Sequence, residues 1–204
     1  MQSPKSYLFL FNISKRSNFG FMIRTANAFG AEIIIIGRKK YSTMGAVGGT
    51  RRTPAHHFFS LNDGVEFVKG MGCRVLGVEI MERAKSICDA PFDGPTAFMM
   101  GNEGTGLQPW QAELCDDFVY IPQFGTAVSL NVNVAAAICL HRFADWAGFQ
   151  ECPREETQYV SNESITEMHR RFQDEKKKQG TDGQATAVSF DPLELLVAFG
   201  VLVA

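Results

Sequence analysis

The chain has 204 residues, of which 45% are hydrophobic and 21% are charged. This length and composition favour one globular domain with room for an appendage, and they argue against a disordered or fibrous protein. Its 20 Lys and Arg residues against 22 Asp and Glu give a net charge of −2. That charge counts against a general nucleic-acid binder but is compatible with local basic patches.

The cysteines and the lengths of the apolar runs indicate the cellular location of the protein. The five cysteines show no CxxC spacing, which argues against a zinc site or any other metal site and against a redox pair. Scattered thiols favour a reducing, cytoplasmic location, with a nuclear or organellar one left open. The N-terminus does not resemble a signal sequence, and no apolar run reaches the roughly 18 residues that span a bilayer. We therefore expect no membrane association.

Strand-like and helix-like segments alternate from the N-terminus. An apolar run predicts a buried strand over residues 6–11. Apolar residues at steps of three and four predict a helix over residues 18–29, which Ser17 or Asn18 would cap and Gly30 would end. The isoleucine run at 33–36 predicts a strand that is buried on both faces.

Glycine and proline interrupt this pattern over residues 41–54, which predicts an irregular loop. The alternation then resumes with a predicted helix at 61–70, strands at 74–80 and 96–100, a short helix at 108–114, a strand at 118–121 and a long helix at 131–149. Strands that alternate with helices predict an α/β fold, in which a mostly parallel sheet has helices on both faces.

The remainder of the chain differs from this pattern. Residues 151–204 begin as a polar segment with charges of both signs, which predicts a helix near 163–178 and then a linker. The end of the chain, 195–204, is wholly apolar but too short to cross a bilayer, so it would pack on the domain or on a partner, or else promote aggregation. We expect one domain over residues 1–150 and an extension over 151–204. The sequence of the extension is equally compatible with folding alone, with guiding RNA and with contacting an accessory protein.

Two groups of polar residues are not explained by secondary structure alone. Asn18 and Arg24 lie on the helix predicted at 18–29, where an exposed or ion-paired side chain is the simplest interpretation of Arg24. Ser129 and Asn131 directly precede the long helix, and a helix cap would explain either one. Three hydrogen-bonding side chains within the segment Ser-Leu-Asn-Val-Asn exceed what capping requires.

A glycine-rich turn follows the strand predicted at 96–100. Gly101, Gly104 and Gly106 would let a ligand approach the backbone closely and would leave N–H groups free. The turn is not a P-loop, because no Lys-Ser/Thr pair follows it. Its order, GxxGxG, also differs from the GxGxxG of dinucleotide-binding oxidoreductases, which stay a weaker alternative. Glu103 stands in the middle of this turn, where a solvated carboxylate is its simplest interpretation.

Together, these segments resemble the three signature motifs of the SpoU/TrmH branch of the SPOUT methyltransferases, in the same order and at similar spacing. The resemblance covers about residues 6–147, and the third motif is nearly diagnostic. One departure is Asn133, where the family usually has serine. The motifs stand here as Asn18, Gly20, Arg24-Thr25-Ala26 and Phe29-Gly30; Gly101-Asn102-Glu103-Gly104-Thr105-Gly106-Leu107; and Ile121-Pro122, Gly125 and Ser129-Leu130-Asn131-Val132-Asn133-Val134-Ala135.

The resemblance implies a C-terminal deep trefoil knot and a homodimer whose active site is completed across the interface, with the long helix at the dimer surface. It implies transfer of a methyl group from S-adenosylmethionine to a ribose 2′-hydroxyl of RNA, either tRNA or rRNA. The implied catalytic residues are Arg24, Asn18, Glu103, Ser129 and Asn131. The implied cofactor-binding residues are Gly101, Asn102, Gly106, Ile121, Gln123, Ser129 and Leu130.

Arg24 would be the central catalytic residue. A permanently charged guanidinium favours a role as a clamp on a phosphate and on the developing alkoxide, whereas the family proposal makes it a base. A non-catalytic RNA-binding or assembly module on the same fold is the alternative function. The complete set of polar motif residues argues against that alternative.

Basic clusters indicate where RNA would bind. The first candidate is the loop with Arg51 and Arg52, which His56 follows closely, and the second is the run that begins with Arg170 and Arg171. Each cluster is equally compatible with a solvated face. Phosphate contacts of this kind would supply affinity and not sequence specificity.

Overall fold

A parallel sheet of seven strands organises the part of the chain that the computed structural model describes, which is residues 3–11, 13, 16–37, 53–153 and 170. The strands are β1 (Ser6–Leu10), β2 (Glu32–Ile36), β3 (Ala55–Phe58), β4 (Arg74–Val78), β5 (Lys85–Ser86), β6 (Thr96–Met100) and β7 (Asp117–Tyr120). The helices are α1 (Arg16–Ala28), α2 (Leu61–Gly70), α3 (Pro109–Ala112) and α4 (Val132–Trp146), with a 3-10 helix at Ile87–Asp89. The order across the sheet is β3-β2-β1-β6-β4-β7-β5.

The central strands are apolar because both of their faces are covered. Every residue of β1 and of β6 is buried, and so is the middle of the isoleucine run in β2. One core cluster packs the sheet against α1 and α4, and a second packs the other face against α2. Each neighbouring pair of strands is parallel. The predicted α/β fold with helices on both faces is therefore confirmed.

Helix α1 differs from its prediction at its first residue. It begins at Arg16, so Asn18 lies inside the first turn and the prediction of Ser17 or Asn18 as the cap is wrong. The polar group of Asn18 is buried and bonds to distant residues instead of to the helix end. At the other end the prediction is confirmed, because Gly30 adopts a φ of +66° just after Ala28.

The two edge strands are absent from the predictions. β3 has the sequence Ala-His-His-Phe, which lacks an apolar alternation, and β5 is only 2 residues long. Edge strands pair on one side only, so their sequences give a weaker apolar signal. β4 also ends at Val78, two residues before its predicted end, and α4 ends at Trp146.

Several predictions concern residues outside the described part of the chain. They are the loop up to residue 52, the apolar end 195–204 and, apart from Arg170, the helix near 163–178. The boundary at residue 150 and the trefoil knot stay predictions. Among the described residues, no helix combines the length and the apolar character needed to cross a membrane.

Candidate active site

The carboxyl ends of three neighbouring strands, β6, β4 and β7, meet at a pocket. Its walls include Glu79 after β4, Gly101 after β6 and Ile121 after β7, and its volume is about 620 Å³. Ligands of open parallel sheets bind at this edge of the strands. The volume lies within the range of sites for small organic ligands.

The glycine turn after β6 forms one wall of the pocket, and its shape requires glycine. A Cβ on Gly101 would lie 3.0 Å from the backbone of Gly106. Gly106 has a φ of +65°, and a Cβ there would lie 2.5 Å from the carboxylate of Glu79. The backbone of Asn102 exchanges two hydrogen bonds with that of Gly106, at 3.1 and 2.9 Å. The turn is therefore closed by its own backbone and leaves no room for side chains at these two positions.

Glu79 is a pocket residue that the sequence analysis does not identify. Its Oε2 accepts a hydrogen bond of 2.9 Å from the backbone N–H of Leu107, and its Oε1 accepts one of 3.0 Å from Ile80. These bonds fix the end of β4 to the end of the glycine turn. The prediction places Glu79 inside a strand over 74–80, whereas β4 ends one residue before it. An acidic residue at the end of an apolar strand is the signal that could have identified it.

Three of the predicted catalytic residues form one hydrogen-bonded chain. The amide nitrogen of Asn18 donates to Glu103 Oε1 over 2.7 Å, and the amide nitrogen of Asn131 donates to Asn18 Oδ1 over 3.3 Å. Asn18 is only 4% exposed. Because its amide is used as donor and as acceptor, its orientation is fixed. The chain thus joins all three motifs beside the pocket.

Asn131 also has the role that capping alone predicts. It is the N-cap of α4, and its Oδ1 accepts from the backbone N–H of Asn133 over 2.9 Å. Its side-chain nitrogen remains available for Asn18, so one amide both starts a helix and joins the site.

Asn133 forms a second hydrogen bond between α1 and α4. Thr25 Oγ1 donates to Asn133 Oδ1 over 2.8 Å. Arg24 lies between the two bonded positions of α1, Asn18 and Thr25, which hold this helix to α4. The residue that departs from the family motif is therefore part of the contact between the first and third motifs.

The seven predicted cofactor-binding residues all line the pocket. Ser129 is an exposed residue of its rim. Arg24 is exposed on α1 and is not among the lining residues. The structure therefore brings the predicted cofactor-binding residues together, with Asn18, Glu103 and Asn131 linked beside them and Arg24 apart.

Residues 5–141 match the model of the SpoU rRNA Methylase family. The chain belongs to this family. Among curated relatives, it is 33% identical over 141 residues to the 23S rRNA (guanosine-2'-O-)-methyltransferase RlmB of Acinetobacter baylyi, covering 66% of this chain and 57% of that protein. It is 30% identical over 146 residues to RlmB of Coxiella burnetii, covering 69% and 58%. The chain thus spans less than two thirds of the length of these relatives.

Solved structures of SpoU proteins have the same fold. The SpoU methyltransferase AviRb from Streptomyces viridochromogenes, in complex with AdoMet, matches with a TM-score of 0.63 and 26% identity, covering 72% of this chain and 61% of that chain. An AdoMet-bound rRNA methyltransferase from Sinorhizobium meliloti matches with a TM-score of 0.64 and 26% identity, covering 74% and 59%.

Of the five RNA-binding residues predicted for this SpoU protein, the structure describes His56 and Arg170, and neither of them lines the pocket. His56 lies on β3, where its Nε2 is 2.8 Å from the carboxylate of Glu32 and its ring centroid is 4.7 Å from that of Phe67. Arg170 is exposed, and Arg51, Arg52 and Arg171 lie outside the described residues. RNA binding by these five residues stays a prediction.

The thiols of the SpoU chain are separate from the site chemistry. None of the five cysteines, all of which lie in the described part of the chain, forms a disulfide. Burial raises the pKa of Cys115 and of Cys139 to about 12, so these two are protonated thiols at neutral pH. Among the described residues, no group of three or more His, Cys, Asp or Glu side chains is placed to hold a metal ion.

Proposed function

We propose that this SpoU-family protein transfers a methyl group from S-adenosylmethionine to a ribose 2′-hydroxyl of RNA. The observation that carries the proposal is the hydrogen-bonded chain Glu103–Asn18–Asn131, which joins the three motifs beside the pocket. The names of the relatives support it, because RlmB of Acinetobacter baylyi is named as a 23S rRNA (guanosine-2'-O-)-methyltransferase. The AdoMet complex of AviRb supports the choice of cofactor.

The pocket fits an adenosyl group by the chemistry of its walls. Gly101 and Gly106 contribute backbone without side chains to the pocket wall. Ile121 and Leu130 add apolar surface suited to a flat ring. The bound cofactor supplies an already activated methyl group, so the chain's own task is to position the ribose and to accommodate its proton.

Asn18, Glu103 and Asn131 would orient the ribose from one side of the pocket. Their mutual hydrogen bonds fix the groups before a substrate arrives, so little reorganisation is needed at the moment of reaction. Ser129 on the rim would contact the ribose or the cofactor. Arg24 would act as a charged clamp on the neighbouring phosphate and on the negative charge that develops at the 2′-oxygen.

We also propose a homodimer in which Arg24 reaches the pocket of the second copy. Arg24 lies on the exposed side of α1 and does not line the pocket of its own chain. Apolar side chains are exposed nearby in sequence, with Phe21 on α1 36% exposed and Val134 on α4 44% exposed. Phe124, in the loop that ends at α4, is 100% exposed. A second copy would cover this surface and complete the site.

The RNA would be an rRNA or a tRNA, held by Arg51, Arg52, His56, Arg170 and Arg171. The extension over 151–204 would contact an accessory protein, and the protein would act in the cytoplasm. These parts of the proposal rest on the basic clusters, on the polar composition of the extension and on cysteines that form no disulfide.

Calorimetric titration of the purified protein with S-adenosylmethionine tests the cofactor, and native mass spectrometry tests the dimer. We expect one binding site per protomer of a dimer, followed by transfer of labelled methyl groups to RNA and recovery of the label in 2′-O-methylnucleosides. Binding without transfer to any rRNA or tRNA would instead favour a non-catalytic module.

Mixed dimers test whether Arg24 acts across the interface. Arg24→Ala and Gly101→Val each inactivate one part of the site, so neither variant should transfer methyl groups alone. If the site is shared, mixing the two variants restores transfer in about a quarter of the sites of a randomly reassorted population. No recovery in mixed dimers of verified composition would place Arg24 in its own chain's site.

A further inference from the structure

Gln123 combines two features in the pocket. It follows β7, and it is one of the residues that line the pocket. Its amide oxygen is buried and has no hydrogen-bond partner among the described residues. A buried acceptor without a partner destabilises a folded chain, and the large majority of buried polar atoms are satisfied. Four other buried polar atoms among the described residues also lack a partner, but Gln123 is the one of these five residues that lines the pocket. A ligand in the pocket would explain its unsatisfied acceptor.

The other carboxylate and amide side chains of the pocket wall already hold protein groups. Glu79 accepts from the backbone of Leu107 and Ile80. Asn102 accepts from the backbone of Gly104 over 2.9 Å, inside the glycine turn. Glu103 accepts from Asn18. Among these four side chains, Gln123 is the one whose acceptor is left for a ligand.

A primary amide is complementary to adenine. It offers one acceptor and two donors on adjacent atoms. Adenine offers an exocyclic amino donor next to a ring-nitrogen acceptor, and glutamine pairs with this edge through two hydrogen bonds in nucleic-acid recognition. A purine that lacks the amino group offers no donor to the amide oxygen, so this oxygen would stay unsatisfied.

We propose that Gln123 recognises the exocyclic amino group of the adenine in the bound cofactor and so makes the pocket selective for adenosine. This inference rests on the proposed function, because it assumes that the pocket holds an adenosyl group. It assigns Gln123 a specificity-determining role, at some cost in stability to the ligand-free chain.

Two ligands and two variants test this role by calorimetry. The ligands are S-adenosylhomocysteine and its analogue with unsubstituted purine, which lacks only the amino group. We expect the full-length chain to bind S-adenosylhomocysteine about 10-fold more tightly than the analogue. Gln123→Met removes the amide at nearly the same length, and its two affinities should agree within about 2-fold. Gln123→Glu keeps an acceptor and should retain a preference for the amino ligand.

Thermal unfolding without ligand separates this role from a structural one. Gln123→Met removes the unsatisfied acceptor, so its Tm should rise by about 2–4 °C. A residue that stabilised the loop would give a shift of the opposite sign. Gln150→Met, at an exposed glutamine outside the pocket, serves as the matched control and should leave the preference between the two ligands unchanged.

Each alternative outcome decides against the inference. A 10-fold preference that persists in Gln123→Met would assign amino-group recognition to another residue. Equal affinities in the unmodified chain would show that the amino group is not recognised. A lower Tm with loss of all binding in Gln123→Met would make the residue structural. If the unmodified chain binds neither ligand, the proposed cofactor fails first and this inference falls with it.

Discussion

The amino edge of the sheet, where its strands begin, and the carboxyl edge, where they end, use polar groups in different ways. At the amino edge, charged residues that precede or begin strands form ion pairs: Lys5 with Glu32 at 2.7 Å, and Lys85 with Asp117 at 2.9 Å. At the carboxyl edge, amides and one carboxylate link three motifs, and the buried amide oxygen of Gln123, a pocket residue, is left without a partner. The buried hydroxyl of Ser6, at the start of β1, also lacks a partner, but Ser6 does not line the pocket. Groups that satisfy one another stabilise a fold, whereas an unsatisfied group beside a pocket indicates a ligand. The predictions below test this difference.

The largest expected effect is at Arg24. Arg24→Ala should lower kcat for methyl transfer by about 100-fold or more, because a preorganised positive charge near the developing negative charge is lost. Cofactor affinity should stay unchanged, since the proposed contacts of Arg24 are with the RNA phosphate and the 2′-oxygen and not with the cofactor. Single-turnover transfer and calorimetry measure the two quantities. Full turnover in this variant would remove Arg24 from the reaction.

A smaller effect on activity is expected at Asn18. Asn18→Ala leaves Glu103 and Asn131 without their common partner, and we expect a loss of about 1–3 kcal/mol in the free energy of unfolding. Misplacement of the remaining groups should also lower kcat by about 10- to 100-fold. Denaturant unfolding and transfer kinetics on the same preparation check both. Normal kcat in a destabilised variant would mean that the hydrogen-bonded chain is structural only.

The amino edge supplies the contrasting case. Asp117 accepts from Lys85 and, over 3.1 Å, from Arg74, and its side chain is 25% exposed. Asp117→Asn should reduce the free energy of unfolding by at most about 1 kcal/mol, because partly exposed ion pairs contribute little. Cofactor affinity and kcat should remain within about 2-fold of the unmodified chain. A marked loss of activity would contradict the division between the edges.

The smallest effect concerns acid stability. Burial would raise the pKa of Glu32, but hydrogen bonds from Lys5 and His56 outweigh it, so the pKa lies below its ordinary value. The resulting stabilisation is present above the pKa of the unfolded chain and is lost as the pH falls through the lower pKa of the folded chain. Glu32→Gln should therefore flatten the acid limb of a plot of stability against pH below about pH 5. An unchanged acid limb would show that Glu32 does not contribute to the pH dependence of stability.

The apolar pattern of the sequence predicts the central strands of the sheet better than its two outermost strands. The buried runs of β1, β2 and β6 are evident from sequence because both faces of each strand need apolar residues. β3 is not, because an edge strand with two histidines has little apolar signal.

The site was predictable only through its motifs. Their residues indicate which positions line the pocket, but not that Asn18 would bond to Glu103 and Asn131 together, since such contacts depend on how α1 and α4 pack. Glu79 was missed for a related reason. Its partner, Leu107, lies 28 residues along the chain, and no local pattern connects the two.

The hydrogen-bonded chain beside the pocket also constrains the order of folding. Its two bonds join residues that are 85 and 113 positions apart. Contacts of this separation form late, because the entropy of closing long loops is lost before the contact is gained. The site is therefore assembled only when α4 has docked on α1. The proposed methyl transfer would therefore require the completely folded domain, and an incomplete chain would not modify RNA during its own synthesis.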